Sequence, residues 1–337
     1  MAGLWPFRLE VLTRRFLRLR TRFSIGEHPP TATKVAISDP AGLWPFRLEA
    51  HTRRFPRLRT HCSIEKHPHQ HQHEARRYPG MPKKETSAYA TVQAARAPRP
   101  YTTRELINGL VANFHELHGD RSSHDDPAVI GGIGWLDDQA VTVIATDKGN
   151  DLTERLQTHF GSPEPWGYRK ALRLMKQAAK FHRPIVTLIN TPGAYPGKEA
   201  EANGQGAAIA DLLVTCADLP TPILAILVGE GGSGGALALA FGDEVWMTDK
   251  SMYSILSPEG FAAILWKDAS RAKEAAEVMQ LTPRDLLAKK VCDRIITDTG
   301  TDFPSALKAE VKPKLATLMA LDPQTLVTQR QARFRKF

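Results

Sequence analysis

Five glycines fall within the eight residues 229–236, Gly-Glu-Gly-Gly-Ser-Gly-Gly-Ala. They stand directly after the apolar run 222–228 and directly before Leu237-Ala-Leu-Ala240. Glycine at that density frees the backbone angles and lets another group approach the main chain closely. A strand that turns into a helix through such residues leaves N–H groups unpaired at the helix start, where they favour anions and developing oxyanions. Close packing of helix on strand accounts for one or two of these glycines; five point to backbone amides that meet an anion. A second loop, Asn190-Thr-Pro-Gly-Ala-Tyr-Pro-Gly197, follows the apolar run 184–189 in the same way.

Further strand candidates lie at 129–136, 140–146 and 245–248, with helical stretches at 168–181 and 200–217. Strands alternating with helices predict an α/β fold with a largely parallel, buried sheet. Thr102-x-x-Glu105 is a capping box, and Leu106, Leu110, Phe114 and Leu117 fall on one helical face, which predicts a helix to about residue 117. Amphipathic helices are expected over 270–290 and 305–320. The division expected is a loop-like arm over 81–100, a folded domain over 101–325 and a basic tail over 326–337, frayed over Arg330–Phe337.

The net charge of +9 invites a nucleic-acid reading, but residues 1–79 carry 15 Lys/Arg against 6 Asp/Glu, which is the whole excess. The remainder is balanced and gives nucleic acid no support. That first quarter is a duplication: AGLWPFRLEVLTRRFLRLRTRFSIGEHP from Ala2 returns from Ala41 as AGLWPFRLEAHTRRFPRLRTHCSIEKHP. Two copies are too few for a solenoid. The patch His67–His73 has nothing to fix a metal geometry. Because Met81 opens a polar stretch resembling an ordinary N-terminus, residues 1–80 are expected to be a non-functional extension. Cys62, Cys216 and Cys292 lack the close pairing of a zinc or redox motif, which suits a reducing cytoplasm, with Cys216 in the core. Apolar runs are only strand-sized, so no membrane span is expected.

Three named motifs overlap the glycine loops. Gly231-Gly-Ser-Gly-Gly235 matches a nucleophile elbow centred on Ser233, yet the last histidine is His182, so none follows the serine as that order requires. Gly229-x-Gly231-x-x-Gly234 with Asp249 matches a dinucleotide fingerprint, which leaves a dinucleotide-dependent oxidoreductase as the alternative reading. Against it, the helix over about 233–241 is short for a βαβ crossover. Residues 193–198 have the wrong spacing for a phosphate loop, and Glu199 stands where a magnesium-binding hydroxyl belongs.

Taken in order, Glu116-Leu-His-Gly-Asp-Arg121, Gly167-Tyr-Arg-Lys-Ala-Leu-Arg-Leu-Met175, Thr191-Pro-Gly-Ala-Tyr-Pro-Gly197, Gly204-Gln205, residues 229–237, Ser257-Pro-Glu-Gly260 and Ile264-Leu-Trp-Lys267 closely resemble the alpha-subunit family of bacterial acetyl-CoA carboxylase carboxyltransferases. The resemblance covers about Pro100 to Ile296. It implies a crotonase-like fold of repeated ββα units with C-terminal helices. It also implies transfer of a carboxyl group from carboxybiotin, carried on biotin carboxyl carrier protein, to acetyl-CoA, giving malonyl-CoA for fatty acid biosynthesis. A beta subunit is the expected partner, biotin carboxylase performs the ATP-using step elsewhere, and no metal is expected in this chain.

In such a reaction the protein stabilises oxyanions and holds the reactants together in a dry cavity, so no catalytic triad is needed. By resemblance, Gly234, Gly235 and Ala236 would hold the biotin ureido oxygen, with Gly231 and Gly232 beside them. Gly193 and Ala194 would shape the same cavity. Arg169, Lys170 and Arg173, at helical spacing, are candidates to meet CoA phosphates, a solvated helix face being the plain alternative. Ser257 reads as a helix N-cap with Pro258 in the first turn. The sequence departs from the family pattern at Asn190, where Asp is usual, at Ala202-Asn203, where Glu-Arg is usual, and at Asp147, where Gln is usual.

Overall fold

The computed structural model describes residues 87–337. The duplicated segment, the patch His67–His73, Cys62 and the expected boundary at residue 80 lie outside the described residues. From the N-terminal side come α1 (Ala88–Arg96), α2 (Thr103–Leu110), β1 (Ala112–Glu116), β2 (Val129–Leu136), β3 (Gln139–Thr146), α3 (Leu152–Gln157), α4 (Pro165–Lys180) and β4 (Ile185–Thr191). Next are α5 (Lys198–Ala202), α6 (Gln205–Asp218), β5 (Ile223–Gly232), α7 (Ser233–Ala240), β6 (Glu244–Thr248), β7 (Met252–Ser254) and α8 (Pro258–Trp266). The chain closes with α9 (Ala272–Met279), α10 (Pro283–Ala288), β8 (Arg294–Ile296), α11 (Phe303–Met319) and α12 (Pro323–Phe334).

The sheet runs β1-β2-β3-β4-β5-β6-β8, with β7 added alongside the end of β5. The first two pairings are antiparallel and those from β3 onward are parallel. Helices cover both faces, which is why β4 and β5 read as continuous apolar runs rather than alternating ones. Tyr168 and Leu174 of α4, Leu212 of α6 and Leu239 of α7 pack on Ile185, Ile189 and Leu227 from one side. Leu106 and Leu110 of α2 and Phe303, Leu307 and Val311 of α11 pack on Leu188, Ile226 and Trp246 from the other.

Three expectations are corrected. The capping box at Thr102 and Glu105 is present, but α2 stops at Leu110, and Phe114 belongs to β1 instead. Asn113 takes a left-handed φ of 50° at an irregularity in the β1–β2 pairing. Gly132 then admits the new strand, since a Cβ there would lie 2.2 Å from the His115 carbonyl oxygen. The arm is not loop-like: Ser87 caps α1, whose Ala88, Val92 and Ala95 are buried. Nor is the C-terminal segment frayed. Arg330 of α12 is fully buried, donating to both Asp243 carboxylate oxygens and to the carbonyls of Cys216, Leu219 and Thr221. Cys216 is buried as expected.

Candidate functional site

The two glycine loops meet where β4 and β5 end. Thr191 pairs with Gly231 in the sheet, and beyond that point the loops press together. A Cβ on Gly232 would lie 1.9 Å from the Pro192 carbonyl oxygen, and one on Gly235 would lie 2.4 Å from the Ala194 nitrogen. Gly193, at φ 135°, sits over the Gly232 carbonyl in a conformation that suits glycine. Thr191 fixes this turn, since its Oγ1 lies 3.0 Å from both the nitrogen and the carbonyl oxygen of Gly193. The Gly193 amide is therefore occupied, whereas the Ala194 amide has no acceptor among the described residues.

Helix α7 starts at Ser233, held at φ 56°, and no side chain caps it. The carbonyl of its N-cap, Gly232, takes the first intrahelical bond from Ala236, so the Ala236 amide is committed. The amides of Gly234 and Gly235 have no acceptor from a loop or turn among the described residues. A Cβ on Gly234 meets nothing within 4 Å, so open space begins there. Tyr195, next in the chain to Ala194, stacks on His159 with ring centroids 3.9 Å apart. His159, Phe160 and Gly161 all take left-handed φ values (47°, 57° and 85°), a strained run of the sort that clusters at functional sites.

The opposite face of the sheet, the one α2 covers, carries charge rather than glycine. A cavity of about 610 Å³ there is lined by Arg96, Arg99, Lys148, Asn190 and Glu230, among others. Glu230 accepts from Arg96 Nε at 2.8 Å and from Lys148, and Arg96 also reaches Glu259 at the start of α8. Burial works to raise the Glu230 carboxyl, but Lys148 and Arg96 overcome it and hold it below the ordinary carboxylate range. Burial pulls the Lys148 ammonium down despite that partner. These residues tie α1, the segment after β3, and α8 to Glu230 of β5, within the glycine-rich stretch. Sequence reasoning passed over them because partners so far apart in the chain leave no local pattern.

Residues 53–337 match the family described as acetyl co-enzyme A carboxylase carboxyltransferase-like. A relative from Streptococcus pneumoniae (strain Hungary19A-6), the acetyl-coenzyme A carboxylase carboxyl transferase subunit alpha, is 54% identical over 249 residues, covering 73% of this chain and 98% of its own. The chain belongs to the acetyl-CoA carboxylase carboxyltransferase family. Among solved structures, a transcarboxylase 12S chain superposes with a TM-score of 0.57 at 16% identity, over 68% of this chain and 44% of its own. This chain thus spans under half of that one. A Pseudomonas malonate decarboxylase hetero-tetramer gives a TM-score of 0.51 at 17% identity, over 69% of this chain and 97% of that one. These likenesses show the fold, which is crotonase-like as the family resemblance implied. The family match also extends past the span from Pro100 to Ile296 at both ends.

With the carboxyltransferase family established, the dinucleotide alternative falls away. One argument used against it also fails, because β5 and β6 do pair in parallel through the eight-residue α7. Of the site residues expected, Gly193, Ala194, Gly234 and Gly235 come together. Gly231 and Gly232 are buried strand residues, and their missing side chains admit Leu227 and Pro192 rather than a ligand. Lys170 is corrected outright: its side chain is 1% exposed and pairs with Asp125 and the Asp126 carbonyl, so it is neither a phosphate ligand nor a solvated cation. Arg173 is spent on the carbonyls of Leu117, His118 and Gly119. Arg169, partly exposed, donates to the Asn203 carbonyl at 2.6 Å.

Ser257 caps α8 as expected. Three of the residues that depart from the family pattern are held by hydrogen bonds. Asn190 Oδ1 accepts from the Glu230 amide at 3.0 Å, Asp147 accepts from Thr103 at 2.8 Å, and Asn203 caps α5 through the Glu199 carbonyl. Only Pro258 and Ala262 of α8 are buried, leaving Ile264 and Leu265 exposed on it and Ile255 exposed just before it. Among the described residues no cluster of potential metal ligands occurs, and no helix is long and apolar enough to cross a membrane.

Proposed function

We propose that this chain transfers a carboxyl group from carboxybiotin to acetyl-CoA, with its glycine loops acting as a backbone oxyanion site. The observation that carries the reading is the close approach of the two loops, the Gly235 Cβ position lying 2.4 Å from an Ala194 nitrogen that has no acceptor, beside open space at Gly234 and amides of Gly234 and Gly235 that meet no loop or turn acceptor among the described residues. Unpaired donors without an acceptor fit an anionic oxygen, and biotin when bound supplies one on its ureido group together with the activated carboxyl. Gly234 and Gly235 would hold that oxygen, aided by the N-terminal end of α7. Ala194 faces the same charge from the second loop. Thr191 and the Gly232–Pro192 contact keep the two loops in register, so the amides need no rearrangement as charge develops.

The reading includes a beta subunit, docked against the apolar surface of Ile255, Ile264 and Leu265, and a biotin carrier protein charged by a separate biotin carboxylase in the cytoplasm. Arg169 remains a candidate for the CoA phosphates. Coexpression with a candidate beta subunit tests the whole. Malonyl-CoA-dependent carboxylation of biocytin is expected from the pair and from neither chain alone. A pair that assembles but carries no carboxyl transfer overturns the reading.

A further inference from the structure

Helix α4 runs close to Asp126 because residue 167 is glycine: a Cβ there would lie 2.2 Å from Asp126 Oδ2. The next residue, Tyr168, has no exposed surface, and its hydroxyl has no hydrogen-bond partner. Buried polar groups without partners are rare in native proteins, because each forfeits its hydration without recompense. This hydroxyl lies at the seam between the two glycine loops. The point where a Cβ of Gly235 would stand is 2.5 Å from Tyr168 Oη and 2.4 Å from the Ala194 nitrogen. Burial first, and the field of Asp126 second, push the phenol far above its ordinary pKa, so it remains an O–H donor.

Three kinds of donor therefore converge: the Tyr168 hydroxyl, the Ala194 amide and the first-turn amides of α7. Among the described residues the hydroxyl has no partner, the Ala194 amide has no acceptor, and the amides of Gly234 and Gly235 have none in a loop or turn. Such a set is matched to an acceptor that arrives with a ligand. A fixed dipole in a dry site acts over a distance and needs no reorganisation when charge appears. We infer that Tyr168 is a positioning residue of the oxyanion site, its buried hydroxyl supplying a fixed dipole behind the amides of Gly235 and Ala194. The inference rests on the oxyanion reading proposed above. A phenylalanine would fill the same space without the cost of burying an unpaired hydroxyl, so stability and activity part company at this position.

Tyr168→Phe tests this, in the full chain copurified with its beta subunit, with Gly234→Val measured in parallel. The expected result is a kcat lower by about tenfold, a KM within about twofold, and an unfolding midpoint unchanged or raised. A lower midpoint overturns the inference, because the hydroxyl would then be holding the fold. A loss carried by KM alone overturns it too. Unchanged kcat in Tyr168→Phe beside an inactive Gly234→Val removes the inference and leaves the oxyanion reading standing. Unchanged kcat in both removes the reading as well.

Discussion

The carbonyl oxygen of Pro192 occupies the place that a side chain on Gly232 would need, 1.9 Å from the Cβ position. The contact is backbone against backbone, so no rotamer change relieves it. Gly232→Ala is expected to cost at least about 1–3 kcal/mol, measured by chemical denaturation. Gly206 is the contrast. It lies in α6 with nothing within 4 Å of its Cβ position, and Gly206→Ala is expected to add roughly 0.4–1 kcal/mol.

Two buried cations, Lys170 and Arg330, hold together segments far apart in the chain. Lys170 is paired with Asp125, and Arg330 with Asp243, where burial raises the carboxyl while Arg330 works against it. Arg330→Met leaves Asp243 and three carbonyls without their donor. Breaking a buried pair in this way is expected to cost about 3–5 kcal/mol, read as a lower denaturant midpoint. A Lys170→Met chain is expected to lose stability similarly, while any active fraction keeps its KM for the CoA substrate.

Asp125 and Asp126 titrate in opposite senses. Burial raises Asp126 to about 6, although the amides of Ala128 and Glu164 hold it back. Its contribution to stability is greatest below the ordinary 3.8 and is lost as pH rises through about 6. Burial also acts to raise Asp125, but Lys170, the Gly119 amide and His118 lower it to about 2, so its contribution is lost as pH falls from about 4 towards 2. Denaturation measured between pH 4 and 6 is expected to show a declining component, on the order of 2–3 kcal/mol, that vanishes in Asp126→Asn. A decline of equal size in the variant would assign it to other groups.

The parallel strands β4 and β5 were legible because burial on both faces writes them as unbroken apolar runs, and the antiparallel β2 was read to the residue at 129–136. Thr102 and Glu105 announced α2 because a capping box is a local device. What escaped were features fixed by distant partners. β1 looked helical because Phe114 and Leu117 continue the spacing of Leu106 and Leu110, and only the glycines of β2 redirect it. Arg330 looked like a loose basic end because Asp243 lies 87 residues away. In the site the glycine density was visible. Which glycines serve packing and which leave space was not, since Gly232 and Gly234 are identical in sequence terms. Tyr168 gave no signal, because its importance lies in a partner its hydroxyl lacks.

Gly234 is the position that tests the oxyanion site with least disturbance. Gly235→Val would drive its side chain into Ala194 and Tyr168, whereas a side chain on Gly234 enters empty space in front of the amides. The decisive measurement is biocytin carboxylation by the Gly234→Val chain assembled with its beta subunit. Turnover is expected to fall by about 10²–10³ with folding and assembly intact. Turnover equal to that of the unaltered pair would contradict the account.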